Sequence, residues 1–194
     1  MPIQFHDTED IAELGCAAFL HIVPSAAHAS QRLGALFFLN ARGEPLEFGY
    51  NRIELMQSVL WRAADQEQAA ARRLALTLFN ASTLTPSLLL CRADVIGPHL
   101  FSGGGLGLQI PVVRLATARD LVGYSGSEAQ AVVESVDEFG ECHDTYLFWT
   151  PAPPTGAAET LFNKLVERYL LLEPFARAEK GLREVYGELV GSPS

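Results

Sequence analysis

Residues 33–94 limit the possible folds more than any other stretch of the chain. LGALFFLN (33–40), the turn ARGE (41–44) and PLEFGYNRI (45–53) read as strand, tight turn, strand. A helical segment and then SLLLCRAD (87–94), a short apolar strand, follow them. Gly43 can take the positive φ that a hairpin turn asks for. In the returning strand Leu46, Phe48 and Tyr50 share one face, while Glu47 and Asn51 point the other way. Upstream, CAAFLHIV (16–23) is a continuous apolar run between Gly15 and Pro24, as expected of a buried strand. The three together predict an antiparallel meander.

The helix after the meander is expected over about 65–80, with Asp65 as its cap and Gln68 reaching back from the third position. Ala70, Leu74 and Leu78 line its apolar stripe, with Ala71, Ala75 and Phe79 beside them, and Arg72 and Arg73 outside it. HDTEDIAEL (6–14) reads as a short helix. LQIPVVRLA (108–116) reads as a strand that Pro111 pushes toward an edge or toward its own first residues. AQAVVESVDEF and DTYLFWT form a hairpin turning near Gly140. The C-terminal part, 157–187, is a kinked helix pair. Leu161, Leu165, Tyr169 and Leu172 repeat at helical spacing, and Pro174 breaks the run. Phe175, Ala178, Leu182 and Val185 then form a second stripe, with Glu179 and Arg183 paired on the wet side. The fold class is therefore α+β (or α/β). A mixed, mainly antiparallel sheet of five to seven strands, in a single domain spanning 1–194, is covered by these helices.

Composition narrows the function classes. The 194 residues carry 14 basic and 23 acidic side chains, a net charge of −9. That balance predicts that nonspecific nucleic-acid binding is unlikely, because such binding draws on a basic surface. A protein partner with a basic surface suits the charge better, and a homo-oligomer is a further expectation. No apolar run approaches the ~20 residues of a bilayer span, and MPIQFHDTED lacks a signal-peptide pattern, so a cytoplasmic protein with no membrane contact is expected. Cys16, Cys91 and Cys142 are odd in number and widely spaced, which suits a reducing compartment.

The chemistry-bearing residues do not gather into a motif. Gly103, Gly104, Gly105 and Gly107 match neither the dinucleotide fingerprint nor the P-loop, and the following segment reads as strand. Cys142, His143 and Asp144 are adjacent, so in extended chain they point to opposite faces and cannot form a triad alone. Cys91 and His99 are the only added ligands a zinc site would find, and no pair has structural-zinc spacing. Glu134, Asp137, Glu138, Glu141 and Asp144 make an acidic hairpin without calcium-loop spacing. His21 reads as a core histidine with one hydrogen-bond partner, and Trp61, Phe148 and Trp149 as core or interface aromatics.

The element order, three antiparallel strands, a helix, a strand ending in Asp94, a further strand and a C-terminal helix, resembles that of an RNase H-like nuclease. The resemblance implies a site in which carboxylates hold two metal ions. Asp94 is suitably placed, with Glu47 or Glu67 as its partner, but the first strand carries His21 and no Asp. The opening hairpin is also similar to profilin-like and roadblock-like scaffolds. The leading expectation is a non-catalytic accessory subunit of a larger bacterial-type cytoplasmic assembly, acting through protein–protein interaction, with no catalytic, cofactor or metal site assigned. A metal-dependent phosphodiesterase or nuclease and a small-ligand sensor are the alternatives.

Overall fold

The computed structural model describes residues 3–4, 14–55, 60–101, 106–121, 128–137 and 139–191. Its strands are β1 (Ile3–Gln4), β2 (Ala17–Pro24), β3 (Gln31–Leu39), β4 (Pro45–Glu54), β5 (Leu88–Arg92), β6 (Val112–Thr117), β7 (Ala131–Val136) and β8 (Cys142–Thr150). The helices among the described residues are α1 (Ala63–Ala81), α2 (Ala157–Glu167) and α3 (Glu173–Tyr186), with two short 3-10 turns. None is long and apolar enough to cross a membrane.

The strands form one sheet in the order β1-β4-β3-β2-β5-β6-β8-β7. The expected α+β class and the opening meander are both present: β2 pairs β3 and β3 pairs β4, each antiparallel. β2, β5 and β6 run parallel to one another at the centre. β8 then returns antiparallel beside β6, and β7 closes that edge. From β2 the chain turns to one side to make β3 and β4. It then crosses back to lay β5 on the other side of β2. The sheet therefore changes direction between β2 and β5, and a crevice is expected outside the carboxyl ends of such strands.

Each face of the sheet has its own core. Alternation along β2 sends Phe19 toward α2 and α3 and Leu20 toward α1. α1 buries Ala70, Leu74, Ala75 and Leu78, the predicted stripe. Gly34 lets it approach, since a Cβ there would lie 2.6 Å from Leu74 Cδ2. On the other face Leu161, Phe162 and Leu165 of α2 and Phe175, Ala178 and Leu182 of α3 are buried. Gly181 plays the matching role on α3, its absent Cβ falling 2.6 Å from Phe48 Cζ.

Several boundaries differ from expectation for local reasons. α1 begins after Arg62 without a side-chain cap, so Asp65 lies in the first turn and is not the cap. The register of β3 and β4 slips between Phe38 and Leu39, and Leu46 consequently joins the α1 core while Phe48 packs on the opposite face. β6 starts only after Pro111, which cannot donate to the ladder. Between α2 and α3 Leu170 N–H bonds Leu165 O at 2.8 Å and Tyr169 takes φ 58°, so Tyr169 leaves the apolar stripe and is 50% exposed. Pro174 then occupies the first turn of α3, where its missing N–H costs no hydrogen bond. Val185 and Trp61 are exposed, not core, whereas Phe148 and Trp149 are buried. The expected helix at 6–14 and the glycines at 103–105 lie outside the described residues, apart from Leu14.

Candidate functional site

Asp94 and Glu47 do not meet. Glu47 stands opposite Phe38, Phe38 opposite Ala18, and Ala18 opposite Leu89. Glu47 is therefore level with the start of β5, three strands away, whereas Asp94 lies beyond its end. At ~3.3 Å per residue and ~4.8 Å per strand the separation is on the order of 20 Å. Glu47 is fully buried, and both of its carboxylate oxygens accept the Thr83 N–H at 3.2 Å, with the Thr83 hydroxyl donating as well. It ties β4 to the chain leaving α1. Glu67 is committed elsewhere too, since its carboxylate accepts Arg32 Nε at 2.8 Å and a second bond from the same guanidinium.

The acids that do converge come from four separate segments, and a fifth adds a histidine. An open cleft of about 810 Å³ lies at the carboxyl ends of β2, β5 and β6, the crevice the topology predicts. His21 of β2, Asp94 after β5 and Asp120 after β6 line it, with Asp137 and His143 of the β7–β8 hairpin and Glu179 of α3. Its volume is in the range of small-molecule and substrate sites.

Arg92 organises the floor. Its Nη2 donates to Asp120 Oδ2 at 2.5 Å, and its Nε lies 3.5 Å from Asp94 Oδ1. Asp120 Oδ2 also accepts the Thr117 N–H at 2.6 Å and the Thr117 hydroxyl at 2.8 Å. Asp94 is exposed and less engaged. Arg119 also lines the cleft and is exposed.

At the hairpin end, Asp137 Oδ1 accepts the N–H groups of Phe139 and Glu141, both at 2.9 Å, and Oδ2 meets His143 Nε2 at 2.8 Å. The His143 contact, helped by those two N–H groups, lowers the Asp137 carboxyl from its ordinary value. Donor atoms of Asp137, Glu141 and His143 all lie within 4.8 Å of one another, and no other such trio occurs among the described residues. Cys142 and Asp144 share the cleft lining, but Cys91 is buried in the α1 core and His99 faces a separate hollow beside α1. The expected zinc additions are thus on the wrong side of the sheet. Burial pushes the Cys16 thiol up to about 11 and raises Cys91 further, so both act as small apolar side chains.

At the other wall, His21 departs from its expected role. Its Nε2 is buried without a hydrogen-bond partner and lies 3.7 Å from Glu179 Oε2. The imidazole, and secondarily Arg183, hold the Glu179 carboxyl below its ordinary value. Sequence reasoning gave Glu179 only its pairing with Arg183, which is present, and passed over Asp120. The signal that finds them is topological: both follow or face the carboxyl end of a central parallel strand.

No protein-family model matches the chain, and no curated protein matches it in sequence. Solved structures do match in shape. Endonuclease V of Bacillus subtilis superposes with a TM-score of 0.58 at 11% identity, covering 88% of this chain and 80% of that one. The catalytic domain of human Endonuclease V gives 0.55 at 15%, covering 92% and 87%. Ciona intestinalis Endonuclease V, solved with a 24mer DNA containing an inosine followed by a ribo-adenosine, gives 0.52 at 11%, covering 90% and 87%. The chain has an endonuclease V-like fold.

That finding corrects the leading expectation. The non-catalytic accessory subunit rested on scattered polar residues, yet this chain brings acids from distant segments into one cleft on a sheet that superposes on endonuclease V. The expectation that nucleic-acid binding is unlikely falls as well, since one of these shared folds was solved on DNA. Net charge averages over the whole surface, whereas phosphate contact is local, and acids at a cleft recruit cations that reverse its sign.

Proposed function

We propose that the chain is a divalent-metal-dependent phosphodiesterase acting on nucleic acid in the cleft at the carboxyl ends of β2, β5 and β6. The observation that supports it most is the position of Asp94, Asp120 and Glu179 at the direction change of an endonuclease V-like sheet. The donor set suits a divalent ion: carboxylate oxygens with two imidazoles, in an open cleft. When bound, such an ion polarises a phosphoryl oxygen and acidifies a coordinated water. The protein's own groups divide the remaining work. Asp94, exposed at the mouth, is the carboxylate freest to engage an ion. Arg92 orients it while neutralising Asp120. Arg119 offers a guanidinium to a backbone phosphate, a bidentate match in geometry. Neither Glu47 nor Glu67 takes part.

The chain's three free cysteines accord with action in a reducing cytoplasm.

The test is incubation with end-labelled single- and double-stranded DNA and RNA, including an inosine-containing duplex, with Mg²⁺, Mn²⁺ or EDTA. Cleavage that needs the metal and falls by about 10²-fold in Asp94→Asn, the scale on which single electrostatic groups act, supports the proposal. Absence of cleavage of every substrate with every metal overturns it. The grip of Arg92 on both strand-end acids favours a second reading, nucleic-acid binding without cleavage. That reading expects metal-independent retention of the same oligonucleotides and no product.

A further inference from the structure

The gap between His21 and Glu179 has the dimensions of a metal seat. We infer that His21 Nε2 and Glu179 Oε2 together hold one Zn²⁺ ion in preference to Mg²⁺. Three observations carry this. His21 Nε2 is buried with no hydrogen-bond partner, an arrangement native proteins rarely leave standing. The facing Glu179 Oε2 is 3.7 Å away, too far for a hydrogen bond. The other carboxylate oxygen, Oε1, is taken by Arg183, so the carboxylate is turned to present Oε2 to the imidazole.

The distance discriminates among ions. An ion ~2.1 Å from each atom would see them at an angle of roughly 120°. That is nearer the tetrahedral angle than the right angle of octahedral Mg²⁺, and an imidazole ligand points the same way. The ring is held for this purpose: Phe175 packs on it with centroids 5.9 Å apart, and β2 fixes its backbone in the middle of the sheet. Remaining positions on the ion open into the cleft, where water or a substrate oxygen completes the shell. Asp137, Glu141 and His143 are the rival seat. There Asp137 Oδ1 is already spent on two backbone N–H groups and Oδ2 on His143, and none of the three residues has a buried atom without a partner.

For its use this inference rests on the proposed phosphodiesterase, but its test is metal binding by the protein alone. ZnCl₂, MnCl₂ and MgCl₂ are titrated into metal-free protein while thermal unfolding is followed, and CoCl₂ absorption reports the coordination geometry. Zn²⁺ at a hundredfold excess over Kd is expected to raise Tm by about 5–10 °C, and Mg²⁺ at the same concentration by far less. Co²⁺ is expected to give the intense visible bands of a four-coordinate site. Both signals are expected to vanish in His21→Ala and in the isosteric Glu179→Gln, and to persist in Asp137→Asn. Retention of the Tm shift in both cleft-wall variants, or its loss in Asp137→Asn alone, overturns the seat. Binding as expected without cleavage of any substrate would sink the phosphodiesterase while leaving the seat in place.

Discussion

Glu47 and Asp94 offer a paired test, because sequence alone groups them in one site and the structure separates them. Glu47 is fully buried and accepts three donations from Thr83. Hydrogen bonds to a charged group are each worth about 1.5–3 kcal/mol net. Here the donors belong to one exposed residue that water can reach after mutation, so their joint loss is counted once, near 2 kcal/mol. Glu47→Ala also removes a buried methylene, adding about 0.8 kcal/mol. The sum is about 3 kcal/mol. With a urea slope of about 2 kcal/mol per molar for a chain of this size, the unfolding midpoint falls by about 1.5 M. Glu47→Gln keeps one acceptor oxygen and loses about half as much. The rate of cleavage per folded molecule should not change in either variant, since the carboxylate is on the order of 20 Å from Asp94. Asp94→Asn should do the reverse, with an unchanged midpoint and impaired chemistry. The assay is urea unfolding followed by tryptophan fluorescence, beside the oligonucleotide assay at low urea. An unmoved midpoint in Glu47→Ala refutes the tie between Glu47 and Thr83. A tenfold loss of cleavage in folded Glu47→Gln refutes the separation of the two acids.

Gly34→Ala forces a methyl into Leu74 and should cost about 1–3 kcal/mol. In a double-mutant cycle with Leu74→Ala, alone worth about 2–5 kcal/mol, the pair should be less destabilised than the sum, and strict additivity would count against the contact. Asp137 should titrate by NMR below its ordinary 3.8 and return upward in His143→Ala. Its contribution to stability is accordingly complete above pH 3.8 and lost as pH falls through the lower folded value. Ellman's reagent should find one fast thiol, Cys142, in native protein and two more only on unfolding; three fast thiols would contradict the burial of Cys16 and Cys91.

The fold was legible where a period repeats. Two-residue alternation marks β2, β3 and β4, and the 3.6-residue stripe marks α1, because burial acts on every residue of the element. The errors fall where one residue decides. The slip opposite Leu39 carries Leu46 to the other core, and nothing in PLEF marks it. The end of α2 depends on a left-handed turn at Tyr169, whose side chain matches the helical spacing. The cleft was illegible for a different reason. Asp94, Asp120, Asp137 and Glu179 lie 17 to 42 residues apart in sequence from one to the next, and only the return of β5 beside β2 brings them to one end of the sheet. Glu47 misled because alternation assigns it to a polar face, when that face is covered by α1 and its exit.

Gly181 sits on α3 two residues past Glu179, against the ring of Phe48. The missing methyl there acts as a spacer setting. It fixes how low the helix rides over the sheet, and with it the height at which a carboxylate one half-turn away stands over His21. A side chain buried far from the cleft mouth thus gauges the cleft. Any substitution that lifts the helix by a few tenths of an ångström would widen the imidazole–carboxylate gap without touching either partner.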